Sequence, residues 1–258
     1  MKNRFLEKTK NGEQTVGTFL EFGDQGVAEA LALTDLDYML IDTEHGPFDV
    51  ETVMTMIRSA ELHDTTPFVR VKDSNRNSIL KMLDVGAQGL IIPQVHSLDE
   101  IKRIVEFGKY YPVGERGVAF ARGCGFGYKD YTKGDINDYF AYCNRETLLI
   151  PQCETLGCLE DIANIAKVDG IDGIFVGPYD LSVAMGIPTQ FNQPQFKDAL
   201  KRILEAVQDA GKFTIIYAGN VEVAKQRLNE GFNSVTVGQD VNFYVDSLNE
   251  MYHSVKND

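Results

Sequence analysis

The sequence predicts an α/β fold, a single (β/α)8 (TIM) barrel over residues 1–258, on three observations. Short apolar runs break off abruptly into acids, an amide and a histidine. Tyr38–Ile41 gives way to Asp42, Glu44 and His45 before Gly46-Pro47; Leu148–Pro151 leads to Gln152 and Glu154; Gly173–Val176 leads to Asp180. Buried parallel strands that deliver polar groups at their C-terminal ends read this way. Strand and helix patterns alternate along the whole chain, and 258 residues is the usual size for eight such repeats. The rival, a doubly wound open sheet, calls for a G-x-G-x-x-G turn after the first strand, and Gly17-Thr-Phe-Leu-Glu-Phe-Gly23 lacks it.

The strand candidates, in order, are Thr15–Phe19, Tyr38–Asp42, Pro67–Arg70, Gly89–Ile92, Leu148–Cys153, Gly173–Val176, Lys212–Ile216 and Ser234–Val237. Each is a short apolar or β-branched run bounded by Gly, Pro or polar residues. Helical spacing fills most of the gaps: Asp24–Leu33, Val50–Leu62, Arg76–Val85, Leu98–Tyr110, Gly157–Ala166, Gln195–Ala210 and Val221–Asn229. A last helix, Asn242 to His253, closes the chain. One connection, from Lys109 to Thr147, is long and rich in Gly and Tyr. A connection of this length reads as a functional lid whose glycines permit close approach to a ligand. The competing reading is a surface insertion.

The balance of 25 Lys+Arg against 38 Asp+Glu gives a formal charge of -13, which argues against a nucleic-acid partner. An anionic substrate must then meet a local arginine or metal. No apolar run approaches the ~18 residues of a membrane span. The charged Met1–Lys10 lacks the apolar centre of a secretory signal. Cys124, Cys143, Cys153 and Cys158 match no zinc-binding spacing. These features together predict a cytoplasmic protein.

Glu154 and Asp180 follow the fifth and sixth strands, so a barrel brings both to one mouth. Two convergent carboxylates suit a hard divalent cation, Mg2+, Mn2+ or Co2+; taken alone, a pair of acids is more often a solvated loop pair. His45 follows the second strand, and an imidazole there suits proton transfer beside a carbonyl. Its expected tautomer-fixing partner is Asp84, just before the fourth strand. Arg70 ends the third strand, where a guanidinium can hold a carboxylate or an enolate oxygen; a salt bridge to Glu44 is the other reading, and the two are compatible. Lys72, in a polar run, reads as solvated, which argues against imine catalysis. Gly219-Asn220 and Gly238-Gln239 stand where many barrels bind phosphate, although ordinary turns explain them equally well.

Taken together, Ile41–Pro47, Val69–Val71, Leu83–Gly89, Tyr111–Gly117, Gln152–Glu154 and Gly170–Ser182 resemble the HpcH/HpaI aldolases, the class II pyruvate-dependent aldolases of 2-keto-3-deoxy acids. The resemblance runs through nearly the whole chain. It implies Glu154 and Asp180 as metal ligands, Gln152 and Arg70 as contacts to the pyruvyl group, and His45 with Asp84 as the proton-transfer pair, Asp42 nearby. Pro178, Tyr179 and Phe19 are the further substrate contacts it suggests, Phe19 standing where several members carry Trp. The implied reaction reversibly cleaves 4-hydroxy-2-oxo acids to pyruvate and an aldehyde through a metal-stabilised pyruvate enolate. The implied assembly is a homohexamer, a trimer of dimers that exchange the last helix. Phe19 and the glycine-rich Phe120–Gly127 run depart from the usual pattern and leave the aldehyde open. A citryl- or malyl-CoA-type lyase and a metal-binding barrel without turnover are the alternatives.

Overall fold

The computed structural model describes residues 2–256. Eight parallel strands pair in chain order, and the first pairs with the last to close a barrel. A short helix α1 (Arg4–Lys10) precedes β1 (Thr15–Leu20); then come α2 (Gln25–Ala32), β2 (Tyr38–Asp42), α3 (Val50–Leu62), β3 (Thr66–Arg70), α4 (Arg76–Val85), β4 (Gly89–Ile92) and α5 (Leu98–Gly108). The second half holds α6 (Ile136–Glu146), β5 (Leu148–Cys153), α7 (Leu156–Glu160), α8 (Ile162–Ile165), β6 (Gly173–Val176), α9 (Pro178–Ala184), α10 (Pro194–Asp209), β7 (Phe213–Ala218), α11 (Val221–Asn229), β8 (Ser234–Gln239) and α12 (Asp240–Lys256). All eight sequence-predicted strands are present. The helix expected over Gly157–Ala166 is two short turns, α7 and α8, broken at Asp161.

Side-chain caps start many of the helices. Asp24, Asp49, Ser97, Asp135, Thr155 and Asn220 each accept a hydrogen bond from a backbone N–H of the first turn. Asn220 therefore serves as a helix cap, in keeping with the ordinary-turn reading. Strand alternation then divides the core in two. Met39, Ile41, Val69, Leu90 and Leu149 face outward to the helices, while Leu40, Phe68, Ile91, Ile150 and Ile215 fill the barrel.

The end where the strands begin is sealed by shape. A Cβ on Gly17, Gly89 or Gly173 would stand 2.3–2.6 Å from the rings of Tyr38, Phe68 and Phe213 respectively. Small and large residues thus alternate around one layer. Phe5, from α1, plugs the layer with edge contacts to all three rings at 4.9–5.5 Å. The buried Tyr38 hydroxyl is satisfied by Thr236 and Ser234.

The last helix behaves differently. On α12, Phe243, Tyr244, Leu248, Met251, Tyr252 and Val255 are all exposed. An apolar groove of about 1080 Å³ lies open beside its first turns, walled by α2, α11 and the outer sides of β1 and β8. Among the described residues no helix is long and apolar enough to cross a membrane.

Candidate active site

The inward positions that build the core continue past it to the C-terminal ends of the strands. Tyr38 and Leu40 are followed by Asp42, Phe68 by Arg70, Ile150 by Gln152 and Ile215 by Tyr217. Parallel register sets Asp42 directly opposite Arg70. Arg70 Nε and one terminal nitrogen donate to the two Asp42 oxygens at 2.8 and 2.6 Å, a bidentate pair. Its other terminal nitrogen lies 3.2 Å from Glu44 Oε2. The guanidinium also covers the Phe19 ring, 4.7 Å from its centroid. Burial raises the Asp42 acid, but the Arg70 hydrogen bonds and charge outweigh it and hold the carboxyl below the usual range. At Glu44, burial outweighs Arg70, and that carboxyl is raised.

Glu154 is 2% exposed and held on both oxygens. Gln94 donates to Oε1 from its backbone nitrogen at 2.8 Å and its side chain at 3.2 Å, and Gln152 Nε2 donates to Oε2. Gln94 makes this contact with φ +52°, an uncommon conformation for a non-glycine residue. Burial first, then the charges of Asp180 and Glu44, push Glu154 up to about 7. Gly177 leaves room for this cluster: a Cβ there would lie 2.6 Å from Glu154 Oε2 and 2.7 Å from Gln152 Nε2. Gln152 Oε1 is buried and finds no partner among the described residues. Asp180 stands on the exposed rim in the first turn of α9, where the helix N-terminus favours a negative charge.

A pocket of about 210 Å³ opens over these groups, lined by Phe19, His45, Arg70, Gln152, Pro178, Tyr179 and Asp180 together with Phe175, Gly177, Tyr217 and Gln239. The chain therefore gathers most of the expected site residues at one mouth. Glu44 meets Arg70 as the salt-bridge reading expected, and Gln239, read from sequence only as part of a turn, lines the pocket; Tyr217 and Gln94 were not singled out from sequence. Tyr217 was accessible to that reasoning, since it shares strand parity with the core residue Ile215. His45 is exposed at the rim, its Nε2 3.9 Å from Glu44 Oε2. Lys72 is exposed, and no lysine lines the pocket among the described residues.

Two expectations are not met within this chain. Asp84 does not join His45. It lies near the end of the ten-residue α4, which carries it roughly 15 Å back along the barrel, and there it accepts a hydrogen bond from Arg116 at 3.0 Å. The long segment after α5 is not a lid over this pocket either. It folds into 3-10 turns and α6 along the outside of α3 and α4, where Arg122 binds Glu61 and the Val85 carbonyl. It encloses a separate small cavity with Asp84, Arg116, Cys124 and Tyr139.

Chemically, the mouth offers a fixed guanidinium, a buried amide oxygen without a partner among the described residues, two carboxylates close enough to feel each other's charge, and an imidazole at the rim. Among the described residues no three or more His, Cys, Asp or Glu side chains converge as a closed metal cage. Two protein carboxylates leave open positions for water or substrate oxygen.

Comparison with known proteins places this geometry. Residues 15–247 match the family model described as HpcH/HpaI aldolase/citrate lyase. A 2-keto-3-deoxy-L-rhamnonate aldolase of Escherichia coli O17:K52:H18 is 32% identical over 262 aligned residues, covering 100% of this chain and 96% of that relative. The structure of a HpcH/HpaI aldolase/citrate lyase family protein from Burkholderia cenocepacia J2315 superposes with a TM-score of 0.90 at 29% identity, covering 98% of this chain and 99% of that one. The citrate synthase SbnG superposes with a TM-score of 0.85 at 28% identity, covering 98% and 97%.

Proposed function

The chain belongs to the HpcH/HpaI aldolase/citrate lyase family, and from that premise we infer that it is a class II aldolase. As such it is a carbon–carbon lyase that reversibly cleaves 4-hydroxy-2-oxo (2-keto-3-deoxy) acids to pyruvate and an aldehyde, using Mg2+, Mn2+ or Co2+. The observation that carries this reading is the single pocket in which Arg70 and Gln152 meet Asp180 at the rim, with Glu154 buried beneath and close enough to Asp180 to feel its charge. The name of the E. coli relative makes 2-keto-3-deoxy sugar acids the first substrates to test.

The residues fit a hard cation. Glu154 is buried beside two further acids and raised to about 7, so a positive charge at this point relieves their repulsion. Gly177 supplies the space a side chain would fill, and the orphaned Gln152 Oε1 needs a partner. Glu154 and Asp180 would hold the ion. When bound, the cation makes the carbon beside the keto group more acidic. Arg70 then orients the keto-acid carboxylate or steadies the developing oxyanion, and Gln152 fixes the pyruvyl end. Asp42 keeps the guanidinium in plane. His45 moves the proton at the substrate's 4-hydroxyl. Phe19, Pro178 and Tyr179 form the wall that meets the aldehyde portion.

The open groove and exposed apolar face of α12 support exchange of that helix between paired subunits, and with it the hexamer. Asp84 can orient His45 only from a neighbouring subunit, which gives the assembly a catalytic reason. Four free thiols favour a reducing compartment, the cytoplasm. The family description also names citrate lyase, which keeps a citryl- or malyl-CoA-type lyase as a second reading. Arg70 is the only cation lining the pocket among the described residues, and two acids already engage it, so CoA phosphates lack a partner there.

The test is pyruvate release from a panel of 4-hydroxy-2-oxo acids before and after EDTA, with Mn2+ added back. Activity should vanish with chelation and return with the ion. Cleavage that survives complete chelation overturns the mechanism.

A further inference from the structure

We propose that Glu21 is a positioning residue of this pocket, a carboxylic acid whose proton bridges to Asp42 and keeps the Asp42–Arg70 pair set to receive a substrate carboxylate. The proposal rests on the keto-acid reading of the site and adds a residue to it.

The strand register argues for it first. Leu20 of β1 lies opposite Ile41 of β2, so the next residues, Glu21 and Asp42, stand side by side. Asp42 in turn lies opposite Arg70. Three neighbouring strand ends therefore present acid, acid and guanidinium in a row. The backbone fixes the first of these. Asp240, at the head of α12, accepts hydrogen bonds from the Glu21 and Phe22 nitrogens at 2.9 and 3.1 Å, clasping the chain after β1 against the barrel.

The charged groups facing Glu21 are Asp42 from β2, Arg70 from β3 and Asp240 from α12. Its carboxyl is within hydrogen-bonding reach of the Asp42 carboxyl. Two carboxylates in contact do not both ionise readily, and one retains a proton. Arg70 decides which one. Its bidentate bond holds Asp42 ionised, so the proton stays on Glu21. Burial, then the Asp42 charge, push Glu21 up to about 7 against the weaker pull of Arg70.

A consequence follows for binding. Protonated Glu21 donates to Asp42 and adds no charge. Ionised Glu21 places a second negative charge beside the same guanidinium, competing for it and repelling an anionic substrate. The folded-state pKa is raised, so the favourable form prevails at low pH and is lost as pH rises through about 7.

The experiment compares the wild-type holoenzyme with Glu21→Gln and Glu21→Leu. Glutamine donates to Asp42 at every pH; leucine never does. For cleavage of a 4-hydroxy-2-oxo acid, KM of the wild type relative to E21Q should be near one at about pH 6. It should rise to about tenfold by about pH 8. E21L should be impaired across the range. A purely structural role gives a ratio that does not change with pH, and that result overturns the proposal. Infrared difference spectra of wild type minus E21Q provide a readout independent of turnover. A protonated-carboxyl C=O band should be present at about pH 6 and lost above about pH 8. Should the wild type cleave no keto acid, the aldolase reading fails while the band still decides the state of Glu21, and its absence overturns the proposal.

Discussion

Where the strands begin, the barrel is closed by three rings set against three glycines and a phenylalanine plug, and the buried Tyr38 hydroxyl is satisfied. Where they end, the same inward positions carry Glu21, Asp42, Arg70 and Gln152. There two carboxyls are raised to about 7 and one amide oxygen lacks a partner among the described residues. One alternation of side chains thus produces both ends. The difference lies in what is left unsatisfied: the sealed end spends its residues on packing, and the open end holds its acids in a state that a cation, a proton or a substrate must complete.

The sharpest way to break this contrast is to remove the group that neutralises the mouth. Arg70→Ala strips the guanidinium from buried Asp42 and from Glu44, and on the proposed mechanism it also removes the carboxylate anchor. Pyruvate release should fall about 1000-fold, and thermal unfolding should show a loss of about 3–5 kcal/mol from the uncompensated buried charge. Arg70→Lys restores charge without the bidentate fork and should recover only a small part of the rate. An unchanged rate in either variant removes Arg70 from the chemistry.

The opposite end should respond in the opposite sense. Phe5→Ala opens a cavity beneath three rings, costing about 3–5 kcal/mol, or a fall of roughly 10 °C in Tm for a chain of this size. The rate per folded molecule, measured well below that Tm, should be unchanged. A large loss of rate without loss of stability would mean the two ends are coupled through the barrel, against the division drawn here.

The sealed end also marks where sequence reasoning stopped. Strand order and the mouth residues were legible, because apolar runs ending in Asp42, Arg70, Gln152 and Glu154 carry both the period and the polarity of a barrel strand. The helix carrying Phe5 was not. Seven residues, four of them charged, give too little periodicity to announce an element whose one apolar anchor matters only once the barrel has closed over it. The same holds for α6, hidden in a polar, Tyr-rich run, and for the position of Asp84. The family resemblance, and no spacing in the sequence, put Asp84 beside His45. The helix that ends just after it carries it to the far side, where it meets Arg116, and no local pattern encodes that placement.

The smallest expected effect tests whether Glu154 is truly held short of a cation. In metal-free protein its carboxyl is raised to about 7 from an ordinary 4.5, so the folded state binds a proton that the unfolded state has released. Its contribution to stability is therefore complete below about pH 4.5 and declines as pH climbs toward 7. The slope of Tm against pH in that window should flatten in Glu154→Gln, by a few degrees at most, because the amide cannot ionise. Adding Mn2+ at about pH 7.5 should raise Tm of the wild type and not of E154Q, since ligand binding to the folded state alone stabilises it. Identical Mn2+ responses in the two proteins would place the ion elsewhere and leave the open end of the barrel without the charge that its acids require.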